Sequence, residues 1–107
     1  MHTKHHEFIA AIHAKRKLRI TFYSEEDGGY LTRTCAPMDW KVGAKIKDGI
    51  PRYWVWDYDS DRGGHSLGLL AERIQAFEVL DTIFDPAEFV RWKVTNWSVA
   101  RDWGAYS

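Results

Sequence analysis

Cysteine is nearly missing from these 107 residues: Cys35 stands alone, so the chain cannot close a disulfide on itself. Net charge is missing too, since fifteen basic residues balance fifteen acidic ones. That balance excludes the global positive field of a protein that coats polyanions without regard to sequence. Long apolar runs are also lacking, the longest falling far short of the roughly 20 residues that cross a bilayer as a helix. No basic start leads into an apolar stretch with a small-residue cleavage site. These absences together point to a cytoplasmic protein with no membrane partner.

What the chain has in excess is rings. Aromatic residues make up 15% of it and six are Trp, more than a small core needs, and surplus rings tend to form binding surface. The stretch PRYWVWDYD at 51–59 concentrates them. Successive side chains of a strand point to opposite faces, so Tyr53, Val55 and Asp57 share one side and Arg52, Trp54, Trp56 and Tyr58 the other. Both sides carry large rings. Either the outer rings lie under a helix and join the core, or one face remains as a stacking platform.

Local patterns then divide the chain. Phe8, Ile9 and Ile12 recur at helical spacing among good helix formers, which predicts an N-terminal helix over 4–15. KLRITFY alternates as a half-buried strand, EEDGG supplies a hairpin turn, and YLTRTCAPMDW returns as a second strand, with Pro37 ending its regular pairing or placing it at an edge. After the turn KDGIP comes the aromatic strand, then the turn DSDRGG, then HSLGLL as a fourth strand. AERI reads as a single 3-10 turn and IQAFEVL as a fifth strand. Asp85, Pro86 and Glu88 spell a helix start, so a closing C-terminal helix is predicted from 86. The expected architecture is one mainly β domain with flanking helices, spanning 1–107. Its centre is a small five-stranded barrel over about 17–83, closed so that no sheet edge is left exposed.

The order of these features resembles the WYL domain, an SH3-like (Sm-like) barrel of bacterial and phage regulators. AAIHAKRKLRITFY is similar to the family's opening and RTCAP to its Arg-x-x-x-Pro signature. YWVWDYD is similar to the name-giving strand, with Tyr53-Trp54-Val55 standing where the family has Trp-Tyr-Leu, and SLGLLAERIQAFEVLDTIFDPAEF is similar to the closing signature. The resemblance covers about 6–89. It implies a non-enzymatic regulatory or accessory module, without a cofactor, that takes a nucleotide or single-stranded nucleic acid on a basic and aromatic patch. Carried over by position, that patch is Arg33, Tyr53, Trp54, His65, Ser66 and Arg73. Trp56 joins it as a neighbour of Trp54 on the same strand face.

Other readings of these residues stay open. Arg33 and Arg73 could be structural, paired with Asp57 or Glu72. His2, His5, His6 and His13 cluster near the start, but no cysteine or carboxylate pair completes a metal set, and no metal is expected. Cys35, His65 and Ser66 stand outside any nucleophile-elbow or protease context, so no catalytic residue is assigned. Phe89, Trp92, Asn96, Val99 and Trp103 recur at the three-four spacing of one face of the predicted last helix, and with Trp97 its aromatic residues Phe89, Trp92 and Trp103 are the candidate partner interface. Such a stripe either folds back on the barrel or meets a second copy or a protein partner. The competing function is therefore a protein interaction or dimerisation module.

Overall fold

The fold was obtained as a computed structural model, which describes residues 1–60, 63–93 and 96–107. Helix α1 covers His5–Ala14 and buries Phe8, Ala11 and Ile12, the face set by the helical spacing of its apolar residues. It stops at Lys15, which adopts a left-handed conformation (φ 55°) and turns its N–H back onto the carbonyls of Ala11 and Ile12.

Five strands follow: β1 (Arg16–Ser24), β2 (Gly29–Val42), β3 (Pro51–Asp57), β4 (His65–Leu69) and β5 (Ile74–Ile83). All pairings are antiparallel and the order across the sheet is β4-β3-β2-β1-β5. A 3-10 turn at Ala71–Arg73 joins β4 to β5, as the sequence predicts. The β1–β2 hairpin closes at Ser24 opposite Gly29, and Gly28 takes the positive φ (67°) that the tight turn requires.

Pro37 sits inside β2 rather than ending it. Pairing with β1 stops at Cys35, and the register with β3 shifts between Pro37 and Asp39. The missing N–H thus falls where β2 has left its first neighbour and bulges against its second.

Two expectations are corrected. The barrel is not closed: among the described residues β4 pairs only with β3 and β5 only with β1, leaving a seam between the two ends of the sheet. Among the described residues there is also no C-terminal helix. The predicted start is real, with Asp85 and Glu88 forming a reciprocal capping box, but it caps a single 3-10 turn at Pro86–Glu88. Beyond it the segment runs irregularly to a last 3-10 turn at Gly104–Tyr106. Val90 and Val99 resist helix through their branched side chains, and the N–H groups of Ser98 and Val99 are drawn to the buried Asp39 carboxylate at 3.0 and 2.9 Å.

The register assigns the faces. Leu18, Ile20, Phe22, Cys35, Val55, Tyr53 and Phe77 point inward and are buried, with Phe8 of α1 against Tyr53 and Phe77. On the outer face the C-terminal segment lies over the sheet, with Phe89 stacked on Trp56 at 5.7 Å and Trp103 against Phe84 at 5.4 Å. Both faces are therefore packed, and the rings of β3 supply each.

Candidate functional site

β3 delivers its side chains as the alternation requires, but not into one hollow. Tyr53 is buried; its hydroxyl accepts the His2 backbone N–H at 3.0 Å and bonds the His5 ring at 2.8 Å. It belongs to the core. Trp54 and Trp56 point outward, half-buried, and lie flat across the backbone of the neighbouring loop and strand. A Cβ at Gly68 would come within 2.7 Å of the Trp54 ring, and one at Gly64 within 2.6 Å of Trp56. Glycine is required at both because the indoles occupy the space a side chain would take. The Trp54 ring donates to the Lys41 carbonyl at 3.0 Å, while Trp56 is spent on Phe89.

Arg33 and His65 line a different space, a cavity of about 430 Å³ on the inner side of the sheet, between β4 and the β1–β2 hairpin. Arg33 donates to the Asp59 carbonyl at 2.6 Å and lies 3.9 Å from Asp57, whose carboxylate is buried and also accepts the Asp59 N–H. Of the two partners weighed for Arg33, the structure uses Asp57. Arg73 is paired with Glu25 and lies 5.4 Å over the Tyr23 ring, at a shallow hollow that also holds Arg52. Ser66 opens to the outer face opposite Trp56, on the other side of β4 from His65. The seven residues thus separate into a core tyrosine, an inner cavity, an outer groove and a hairpin hollow.

Cys35 shares a rung of the sheet with Asp57 and His65. Burial, followed by the Asp57 and Asp59 charges, pushes its thiol well above the ordinary range, so it stays protonated at neutral pH. That is the opposite of nucleophile activation. Among the described residues no group of three His, Cys, Asp or Glu side chains could hold a metal ion, and no helix is long and apolar enough to cross a membrane.

The outer face carries a concave surface, a groove of about 570 Å³ between the β2–β3 loop and the C-terminal segment. Trp54, Trp92 and Trp97 give it aromatic walls, and Lys41, Lys45 and Lys93 stand along it. None of these three ammonium groups has a carboxylate or hydrogen-bond partner among the described residues. Trp92 is 47% exposed and meets Trp97 edge to face at 6.2 Å. The one carboxylate among the described residues of the groove, Asp39, is already neutralised. It is paired with Arg101, whose side chain is fully buried, and it accepts the Ser98, Val99 and Trp40 N–H groups. Arg101 also donates to the Met38 carbonyl and lies in the angle between Trp97 and Trp103, at 4.0 and 4.3 Å from the ring centres. Burial draws its guanidinium down to about 10 against the opposing pull of Asp39, leaving it charged at neutral pH.

Of the stripe suggested for a partner, Phe89 and Trp103 are buried in the chain's own core, Trp103 donating to the Ile12 carbonyl at 2.9 Å. Trp97 is half-buried against Arg101, and only Trp92 is open. The sequence reading missed the lysines and the Asp39–Arg101 anchor. The signals were present: Trp40-Lys41 and Trp92-Lys93 repeat a ring beside a cation, KVGAKIK loads one loop, and an Asp amid the apolar run APMDW demands a buried partner.

No family model, curated protein or solved structure matches the chain.

Proposed function

We propose that the chain is a WYL-like regulatory or accessory module, non-enzymatic and free of cofactor, that binds a nucleotide-type anion or single-stranded nucleic acid. The binding surface is the outer groove, and not the patch carried over by position from the family. One observation carries this reading: an exposed Trp92 and two half-buried indoles lie among three lysines that have no carboxylate partner among the described residues. Bases stack on such rings for about 1–3 kcal/mol each, while lysines meet phosphates as point charges without requiring a fixed fork geometry. The strand order, the bulged second strand and the 3-10 turn between β4 and β5 agree with an SH3-like arrangement left open at one seam.

The competing reading, a dimer built on the C-terminal stripe, is weakened because two of its four rings are spent inside the chain and a third is half-covered. Fluorescence anisotropy of a labelled oligothymidylate tests the proposal. Trp92→Ala and the double variant Lys45→Ala/Lys93→Ala should each weaken binding about tenfold, with melting temperatures within a few degrees of the parent. Binding unaffected by either change would move the site elsewhere.

A further inference from the structure

The seam in the sheet is a second surface, separate from the groove and independent of its reading. Its two sides are not alike. Along β5 the carbonyls of Ile74 and Phe77 are bonded by the His2 ring at 3.3 Å and the Lys4 ammonium at 2.7 Å, and Arg16 donates to the Leu80 carbonyl at 2.8 Å. Glu78 and Asp81 add charge to that strand. These are the devices that blunt a sheet edge. β4 has none of them. His65–Leu69 contains no proline and no acidic or basic residue other than His65, carries no bulge, and among the described residues bonds only to β3. Its first residues are exposed, and its outward peptide groups have no backbone partner on another strand among the described residues.

Beside this edge lies the inner cavity, whose shape follows from the open seam. Phe22 and Leu31 of the β1–β2 hairpin and Leu67 of β4 give it apolar walls. Glu26 and Asp27 stand at the hairpin side of its mouth. Glu26 has no partner among the described residues and Asp27 only the Ser24 hydroxyl at 2.7 Å. Among the described residues lining the cavity, the one arginine, Arg33, is held by Asp57 and the Asp59 carbonyl.

We infer that β4 is a docking edge for an extended segment of another protein, which adds to the sheet as a sixth antiparallel or parallel strand and fills the seam. Backbone bonds to β4 supply affinity and the alternate side chains supply choice. Those facing inward would be apolar over Leu67, Phe22 and Leu31, and basic where they meet Glu26 and Asp27. Those facing outward, beside Ser66, would be small and polar.

The heptapeptide Thr-Lys-Thr-Val-Thr-Lys-Thr, capped at both ends, is the probe, titrated into the isotope-labelled 107-residue chain and followed by amide NMR and hydrogen exchange. Shifts and new exchange protection are expected along 65–69. Glu replacing both peptide lysines, or the protein variant Glu26→Lys/Asp27→Lys, should each weaken binding about tenfold. Methylating alternate peptide nitrogens should abolish it, because the edge bonds are then lost. The charge-reversed protein should retain oligothymidylate binding, which separates this surface from the groove. Equal binding of the methylated peptide, shifts confined to the outer groove, or self-association through 65–69 without the peptide would each overturn the inference.

Discussion

Asp39 and Arg101 hold the C-terminal segment against the sheet by burying opposite charges, and the arrangement stands only while both are present. Arg101→Met leaves a buried carboxylate with backbone donors but no countercharge, and should cost about 3–5 kcal/mol in urea denaturation. Removing the exposed Arg19, which pairs with Glu78 at 3.4 Å, should cost under about 1 kcal/mol. Similar costs for the two would show that the anchor is not buried in solution. His5 gives a pH test. Its imidazole is pushed below the ordinary value chiefly by burial, then by His6 and the amino terminus. The unfolded chain therefore takes up this proton near about pH 6.5 while the folded chain resists it. The His5 contribution is complete above that pH and is lost as the pH falls below it. Melting temperatures taken from about pH 7.5 down to about pH 5.5 should drop more steeply for the parent than for His5→Gln; parallel curves would contradict this.

The glycines opposite the indoles tie sequence to packing between neighbouring strands. Gly68→Ala sets a methyl against the Trp54 ring, which must swing away from the sheet. A loss of about 1–3 kcal/mol is expected, with a changed tryptophan emission as the mark of the moved ring. An unchanged spectrum and stability would mean that the ring does not lie there. Elements of this kind were largely legible from the chain. Period-two alternation located β1 and the inner and outer sets of β3, strand-forming composition and the intervening turns located the other three strands, and the AERI turn was read correctly, because each depends on neighbours in sequence. The C-terminal helix was misread for the converse reason. Its capping box is genuine and Phe89, Trp92, Asn96, Val99 and Trp103 do recur at helical spacing, yet Ser98 and Val99 find their hydrogen-bond partner on β2, about sixty residues earlier. A local pattern carries no record of Asp39. The same limit scattered the candidate site: Arg33, His65 and Arg73 have the right chemistry, but register places Trp54 on the opposite face of the sheet from the first two, and carboxylates already hold both arginines.

Across the molecule a zero net charge hides an uneven surface. β4 separates an acid-rimmed cavity, reached by His65 and Leu67, from a lysine-lined groove, reached by Ser66. On the proposed reading, such a surface would meet anions by one face without attracting them from all sides, which fits selective engagement of a short ligand better than coating of a polymer. The salt dependence of oligothymidylate affinity tests this account most directly. Three lysines displacing counterions from a single strand predict that the logarithm of the association constant falls with the logarithm of salt at a slope of about −2, and that the slope flattens when Lys41, Lys45 and Lys93 are all replaced by Ala. A slope near zero, or one that the triple replacement leaves untouched, would contradict it.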